Sequence, residues 1–429
     1  MPLWRVSFAV KVKYSKGYNP MGNGLNQFNY TAIILSSLSI ILLAGFLLTR
    51  ITKVAKLPNV TGYILAGVLI GPYILKLIPY ELVENMGFIS DIALAFIAFS
   101  VGRFFKKEIF YETGLGVIAI TLLESLLAGA LITVFMHYVF HLNWDFSLLL
   151  GAIATATAPA STIVTIRQYH ARGDFVNILL QVVAFDDAVC LIVFSIAIAI
   201  INTGANVSVS AIAQPIIQNI GALAIGFLSG FTLSKLVTPT RSEDNRLILT
   251  VSFLLGIAGL CAAVDISPLL SSMLFGAVYI NMTKDKGLYK QIDRFTPPIL
   301  SIFFVVSGMN LDLASLGASG LIGASYFFIR IVGKYLGAYI GCVMTKSPKS
   351  ISRFLGLALI PQAGVSIGLA FLGKRVLPPN TGNMLLTIIL SSSVLYELIG
   401  PACAKLALIY SGSIKRERLI AAGEKKTNN

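Results

Sequence analysis

The sequence predicts an all-α polytopic membrane protein with 13 transmembrane helices, built as an inverted repeat of five-helix units and containing two discontinuous helices. Three observations predict this fold: the composition, the series of apolar runs and a weak internal repeat. The 429 residues are 56% hydrophobic and only 12% charged, with a mean hydropathy of +0.82. Soluble domains carry about twice that share of charged residues, so the composition indicates an integral membrane protein.

Thirteen apolar runs are long enough to cross a bilayer, which takes about 20 helical residues. Most of the 33 Lys and Arg residues fall in alternate loops and in the C-terminal tail, as expected for cytoplasmic segments. One span more or fewer would scramble this alternation, so we expect a cytoplasmic C-terminus and an outside N-terminus. The runs are 30–49, 59–77, 87–102, 113–139, 146–167, 175–201, 212–237, 246–263, 267–282, 295–310, 318–344, 351–373 and 383–410.

The two ends of the chain lie outside this pattern. Residues 1–29 form an N-terminal extension whose four basic residues would lie on the outer side, and it lacks the apolar core and cleavage site of a signal peptide. We expect this extension to be disordered, or the true start to be Met21. Residues 411–429 are expected to form a short basic cytoplasmic tail. The formal charge of +14 is scattered between apolar runs, which argues against nucleic-acid binding and favours topology signals and contact with anionic lipid.

A weak internal repeat relates the two halves of the chain. Three segment pairs recur at offsets of 205, 206 and 202 residues: Leu65–Gly71 with Leu270–Gly276, Phe99–Gly102 with Val305–Gly308, and Ala158-Pro159 with Ile360-Pro361. The offsets predict that spans 2–6 are repeated as spans 9–13. Five is an odd number, so the second unit would be inverted, an architecture typical of secondary transporters with a site at the repeat interface.

Spans 5 and 12 carry prolines at matching positions, each beside hydroxyl or amide side chains. One proline alone is often a kink that membrane helices tolerate. The matched pair favours helices that are broken, with carbonyls and half-helix ends facing a cation site. The residues expected at the breaks are Thr155, Pro159 and Ser161 in span 5, and Pro361 and Gln362 in span 12.

Few charged side chains lie well within apolar runs. The acids are Glu124, Asp186, Asp187 and Glu397, and the bases are Arg330 and Lys334. An ionisable group at this depth costs several kcal/mol unless it is paired or hydrated, so such residues mark a functional site. For Glu124 a packing hydrogen bond and a functional role stay equally open, and Glu397 is interpreted as structural.

Asp186 and Asp187 are the centre of the predicted site. Neighbouring residues on a helix point about 100° apart, so the two carboxylates cannot face the same partner. Arg330 and Lys334 are four residues apart and share one face of span 11. We expect one aspartate to pair with a base and the other to face a cavity. The alternative is a charge-neutralising cluster that only locks helices together, although buried ion pairs are poor stabilisers.

Five motifs in this order resemble the second cation/proton antiporter family: Pro58–Pro72, Ala154–Ala160, Asp186–Ala188, Gly333–Gly337 and Pro361–Gly364. The resemblance covers residues 30–410, a sodium/proton exchanger transmembrane domain. It implies a homodimer in which core spans (113–201 and 318–410) move against dimerisation spans (30–102 and 246–310), with a linker span at 212–237. Spans 5 and 12 would then be the crossed, unwound helices.

The resemblance also implies roles for single residues. Asp187 would carry the monovalent cation or the proton, Asp186 would assist it, Lys334 would pair with Asp186, and Thr157 would lie against the ion. No cofactor and no other metal is expected. Arg103 departs from the family pattern, which has an apolar residue after that glycine. Asp rather than Gln at position 186, and the short tail, argue against the ligand-gated potassium-efflux branch.

The predicted function is antiport of a monovalent cation, Na+ in the first instance, against H+ across the cell membrane by alternating access. If Lys334 also released a proton, two protons would exchange per cation and transport would be electrogenic, at about 2.3 kcal/mol per charge per 100 mV. The alternatives are K+/H+ antiport, sodium-coupled symport of organic anions, and an ion channel or membrane sensor with buried gating charges. An enzyme is not expected, since the chain has no P-loop, nucleophile triad or zinc motif.

Overall fold

A computed structural model describes residues 30–54, 59–158, 162–163, 165–166, 169–203, 209–238, 241–264, 266–311 and 313–414. All regular secondary structure within these residues is helical. The helices are α1 Tyr30–Val54, α2 Asn59–Ile70, α3 Tyr80–Asn85, α4 Phe88–Gly102, α5 Lys107–Phe140, α6 Trp144–Ala154, α7 Asp174–Thr203, α8 Val209–Leu236, α9 Glu243–Ala263, α10 Pro268–Thr283, α11 Gly287–Met309, α12 Leu313–Met344, α13 Lys349–Ala358, α14 Gly364–Val376 and α15 Pro379–Tyr410. The predicted N-terminal extension, most of the predicted tail, and Pro159 and Ser161 lie outside the described residues.

Many of these helices are suited to a membrane. In the described part of the chain, 8 helices are long and apolar enough to cross a bilayer: α1, α5, α7, α8, α9, α11, α12 and α15. Helices α2, α4, α6 and α10 are shorter but also apolar. The prediction of an all-helical polytopic membrane protein is therefore confirmed. The count of 13 spans, which requires α13 and α14 to be halves of one broken span, stays a prediction.

A close contact between α5 and α12 brings charged residues of the two helices together. Gly333, Gly337 and Gly341 form a stripe along α12, and a Cβ added to each would lie 2.5–2.8 Å from Cα atoms of α5, those of Ala128, Glu124 and Ile120 respectively. Real Cβ atoms essentially never come this close to a neighbouring atom. The glycine stripe therefore lets the two backbones approach until Lys334 and Glu124 meet.

Two further helix crossings depend on glycine. At the α2–α11 crossing, a Cβ on Gly67 would overlap the backbone of α11, and one on Gly308 would overlap the backbone of α2. At the α4–α10 crossing, Gly102 and Gly276 show the same reciprocal overlap. Each crossing therefore brings two backbones into direct contact through glycines on both helices.

The apolar runs around the two matched prolines are interrupted in the structure. Helix α6 ends at Ala154 and is followed by non-helical residues up to 158. Helix α13 ends at Ala358, and α14 begins at Gly364 after a non-helical stretch over residues 360–363. The two interruptions touch, because the amide of Ala158 donates a hydrogen bond of 2.8 Å to the carbonyl of Pro361.

Candidate functional site

The two interrupted segments are joined by side chains as well as by backbone. The hydroxyl of Thr157 donates to the carbonyl of Leu359 at 3.4 Å. The amide nitrogen of Gln362 donates to the carbonyl of Ile153 at 2.8 Å and lies 3.0 Å from the hydroxyl oxygen of Tyr326. Thr157, Gln362 and Tyr326 contribute polar side chains, and Leu359 and Ile153 contribute backbone carbonyls, so the crossing is a polar centre inside an apolar bundle. Tyr326 is a member that the sequence analysis did not identify.

Arg330 binds carbonyl groups of both interrupted helices. Its Nε donates to the carbonyl of Ala154 at 2.8 Å, Nη1 donates to that of Ile360 at 2.8 Å, and Nη2 donates to that of Ala156. The side chain is fully buried, and the guanidinium lies 4.7 Å from the ring centre of Tyr396. The last carbonyls of a helix have no partner within the helix, so one guanidinium satisfies carbonyls that both breaks leave free.

This arrangement differs from the expectation that Arg330 is a charge partner of the acids. Among the described residues it forms no ion pair, and its hydrogen bonds go to backbone oxygens. Lys334, one helical turn further along α12, is the base that meets the carboxylates. The sequence correctly placed both bases on one helix face but could not assign each of them to a partner.

Lys334 contacts oxygen atoms of three residues. Its Nζ lies 2.9 Å from Asp186 Oδ2 and 2.7 Å from Glu124 Oε2, and it also donates to the carbonyl of Thr155. Lys334, Asp186 and Glu124 are all fully buried. The ammonium group donates hydrogen bonds to Asp186 and to the carbonyl of Thr155, whereas its contact with Glu124 Oε2 is an ion pair that forms no hydrogen bond among the described residues. Glu124 therefore shares Lys334 with Asp186.

Ser125 links the two acids that share this lysine. Its hydroxyl donates to Asp186 Oδ1 and lies 3.1 Å from Glu124 Oε1. A hydroxyl has only one proton to donate, so it can serve one carboxylate at a time. The contact holds α5 and α7 in register at the site.

Asp187 has different surroundings from its neighbour. Its side chain is 3% exposed, and neither carboxylate oxygen accepts a hydrogen bond from any residue that the structure describes. A buried carboxylate without a donor is costly unless it binds a proton or a cation. Helical geometry accounts for the difference, because the 100° rotation between consecutive residues turns Asp187 away from Lys334 when Asp186 faces it.

Most predicted site residues meet around the crossing. Lys334 connects Asp186 with Thr155, whereas Arg330, Thr157, Pro361 and Gln362 take part in hydrogen bonds that join the two interrupted segments, and Asp187 follows Asp186 on α7. Pro159 and Ser161 lie outside the described residues. Glu124 was the member left open, and the glycine stripe of α12 is the sequence signal that could have paired it with Lys334.

Comparisons with known proteins identify the family of the chain. Residues 38–402 match the family model described as "Sodium/hydrogen exchanger, transmembrane". Curated relatives include the glutathione-regulated potassium-efflux system protein KefC of Salmonella typhi and that of Salmonella newport, each 24% identical over 312 residues. These matches cover 70% of this chain and 49% of the relative, so the chain spans about half the length of the curated relatives it matches.

The fold resembles that of a solved antiporter. The sodium proton antiporter MjNhaP1 from Methanocaldococcus jannaschii at pH 8 has a TM-score of 0.74 and 19% identity over 88% of this chain and 98% of that chain. An electron-microscopy map of the same antiporter gives a TM-score of 0.73 and 17% identity. At these identities the likeness concerns the fold alone. The family model covers most of the chain, and the chain therefore belongs to the sodium/hydrogen exchanger family, whose members are transporters rather than enzymes.

Proposed function

We propose that this protein is a secondary active antiporter that exchanges Na+ for H+ across the cell membrane by alternating access. The observation that carries the proposal is Asp187, a buried carboxylate without a hydrogen-bond donor among the described residues, beside two interrupted helices. Such a group can hold either a proton or a monovalent cation, and it cannot hold both. Competition for one carboxylate is the minimum that an antiporter requires.

The charges around Asp187 support this proposal. We call Glu124, Asp186, Asp187, Arg330 and Lys334 the charged cluster. With every member ionised it contains three acids and two bases, a net charge of one negative. As long as Lys334 stays protonated, one bound proton or one monovalent cation brings the net charge to zero. An empty cluster would carry its charge through the bilayer at a cost of several kcal/mol, so the loaded forms would be the ones that move.

The proposal includes electrogenic exchange of two protons per cation, with Lys334 as the source of the second proton. This requires the cation to draw Asp186 away from Lys334. Glu124 opposes this step, because it lies 2.7 Å from Lys334 and would remain as its anionic partner. The stoichiometry therefore depends on whether Glu124 alone can keep Lys334 charged, and the pH dependence argued in the Discussion separates the two cases.

The choice of Na+ has one competitor with support of its own. The fold neighbour is a sodium proton antiporter, whereas the curated relatives are potassium-efflux proteins. K+/H+ antiport is therefore the second candidate. A cation series of Na+, Li+ and K+ in solid-supported membrane electrophysiology should give the largest transport current with Na+. A larger current with K+ would replace the proposal by its competitor.

The proposed mechanism needs one part of the protein to move against another. We propose that α5, α6, α7 and α12–α15 form the moving core, that α1, α2, α4, α9, α10 and α11 form a dimerisation domain, and that α8 links the two. The glycine crossings support an inverted repeat. In that repeat α2 corresponds to α10, and α4 corresponds to α11. The contact equivalent to α2–α11 is therefore α10–α4, and both crossings are present. We also propose a homodimer with a cytoplasmic C-terminus.

Substitution of Asp187 tests the proposed carrier. Asp187→Asn keeps the shape of the side chain but removes its negative charge, so Na+-dependent proton movement in everted membrane vesicles should fall to the background of vesicles without the protein. Asp174→Asn is the matched control, since Asp174 is an exposed acid on the same helix. Exchange that persists in Asp187→Asn at the level of the control would overturn the assignment.

A further inference from the structure

A positively charged pocket lies where the α4–α5 loop meets the start of α11. The cavity has a volume of about 460 Å³ and opens to solvent. Its basic residues are Arg103 and Lys106 from the loop, Lys286 at the N-cap of α11, and Lys290 in the first turn of that helix. The rings of Phe104 and Tyr289 also line it. The pocket is separate from the charged cluster and has no part in the proposed exchange.

The acids near this pocket are already paired. Asp293, which also lines it, has Oδ2 2.7 Å from an Nη atom of Arg103. Asp285 precedes α11, and its Oδ2 accepts a hydrogen bond of 3.0 Å from Tyr279 and lies 3.7 Å from Arg246. The local carboxylates therefore neutralise arginines and leave the lysines of the pocket uncompensated.

Three lysines line the pocket without an acidic partner among the described residues: Lys106, Lys286 and Lys290. Lys286 and Lys290 are four residues apart and extend from one face of α11, and Lys106 faces them from the loop. Three ammonium groups around one cavity complement a ligand with more than one negative charge. An aspartate or glutamate side chain would neutralise only one of them.

The loop that forms one wall is held in a fixed position. Asn281 of α10 donates from Nδ2 to the carbonyl of Phe105 at 2.6 Å, and its Oδ1 accepts from the backbone amide of Lys107 at 2.8 Å. The guanidinium of Arg103 lies 5.9 Å from the ring centre of Tyr289. The backbone on both sides of Lys106 is therefore fixed, at Phe105 and at Lys107. Binding of a ligand then costs less conformational entropy, because the loop is already ordered.

We propose that this pocket binds a phosphate group, carried either by an anionic membrane lipid or by a free phosphate. Tetrahedral phosphate oxygens suit ammonium donors that approach from several directions, and basic pockets between membrane helices hold lipid head groups in this way. Arg103, which departs from the family pattern, neutralises Asp293 and so removes the one carboxylate that would repel the ligand.

The position of the pocket gives it a path to the transport helix. Phe105 lies between two pocket residues in the chain, and its ring packs edge-on against Phe185 at a centroid distance of 5.2 Å. Phe185 directly precedes Asp186 on α7. An occupant that shifts the loop would therefore act on the helix that carries both aspartates. That effect on exchange rests on the proposed function, whereas binding itself does not.

Binding is tested on the purified full chain in neutral detergent. Inorganic phosphate and, separately, dioctanoyl phosphatidic acid, a phosphomonoester lipid with more than one negative charge, are titrated at constant ionic strength, with Tris as the only added cation so that the cation site is not loaded. Lys286→Gln/Lys290→Gln should weaken binding about 25-fold, from roughly a fivefold loss for each lysine. Lys346→Gln/Lys349→Gln, an equal change of charge where α12 connects to the start of α13, should bind as the wild type does.

The two probes identify the source of the phosphate group. Binding of the lipid alone assigns the site to membrane lipid, and binding of inorganic phosphate assigns it to a free ligand. Equal affinity in the wild type and both double variants, or binding of neither probe, would overturn the proposal. Asp187→Asn should bind the probes normally, so failure of the phosphate site and failure of the exchange proposal are distinguishable.

Discussion

Glu124 brings a second carboxylate to the buried Lys334. The structure places its carboxylate 2.7 Å from Lys334, closer than the 2.9 Å between Lys334 and Asp186. A base that serves two acids cannot be assigned to one of them. Lys334 is therefore the shared counter-charge of two helices, α5 and α7.

Removal of Lys334 should destabilise the protein strongly. Lys334→Gln leaves Glu124 and Asp186 close together in a buried site without a base, and loss of one partner from a buried ion pair costs about 3–5 kcal/mol. The midpoint of thermal unfolding in detergent, followed by intrinsic fluorescence, should fall clearly below that of the wild type. Lys346→Gln, which changes an exposed lysine, should stay close to the wild type.

A second substitution separates charge from packing at Lys334. Glu124→Gln in the Lys334→Gln background removes one of the two like charges and should recover part of the lost stability. If the double variant were as unstable as the sum of the two single variants, the loss would come from packing and the shared-lysine account would be wrong.

At the scale of the helices, the two breaks show what the sequence can and cannot predict. Pro361 cannot donate a hydrogen bond and disfavours helix in the residue before it, so α13 ends upstream, at Ala358. The approximate positions of both breaks therefore followed from local chemistry. The partners of their free carbonyls did not, because Arg330 and Lys334 are more than 170 positions from Ala154 and Thr155 in the chain. Contacts of that range depend on how whole helices pack.

Glycine at the α2–α11 crossing provides a test of helix packing. In Gly67→Ala the new methyl group would meet the carbonyl of Val305, a backbone atom that cannot turn aside, so overpacking should cost about 1–3 kcal/mol. Gly256→Ala in α9 is the matched control, because a Cβ there meets no atom within 4 Å. The control should be neutral or slightly stabilising, by up to about 1 kcal/mol, since alanine favours helix more than glycine does.

The measurement for this pair is the thermal unfolding midpoint of each variant relative to the wild type. A Gly67→Ala protein as stable as the Gly256→Ala protein would mean that the two backbones at this crossing lie further apart than the structure shows. Gly308→Ala should behave like Gly67→Ala, because it would place a methyl group against the carbonyl of Ile64 on the other side of the same crossing.

For the whole molecule, the charged cluster connects the fold with the transport cycle. Its acids lie on α5 and α7 and its bases on α12, while the carbonyls that complete it come from both interrupted helices. Movement of any one of these helices alone would separate ion pairs or leave buried carbonyls without donors. The cost of such separation supports the proposal of a core that moves as a unit and carries the cation or the proton at Asp187.

Competition at Asp187 fixes how transport should depend on pH. Below the pH at which the free site is deprotonated, each unit of acidification reduces the fraction able to bind a cation tenfold. The half-saturating Na+ concentration should therefore rise about tenfold per unit for one competing proton, and about a hundredfold for two. At higher pH it should become constant. The measurement is half-saturation by Na+ in proteoliposomes across a pH series with equal pH on both sides.

The change of the half-saturating Na+ concentration per pH unit must agree with the response of the transport rate to an imposed membrane potential. A tenfold slope requires rates that ignore an imposed membrane potential, because one positive charge moves each way, whereas a hundredfold slope requires rates that respond to it. In the tenfold case Lys334 keeps its proton throughout the cycle, with Glu124 as its constant partner; in the hundredfold case it gives that proton up when the cation arrives. A half-saturating concentration that is the same at every pH would contradict competition and, with it, the assignment of Asp187 as the shared site of cation and proton.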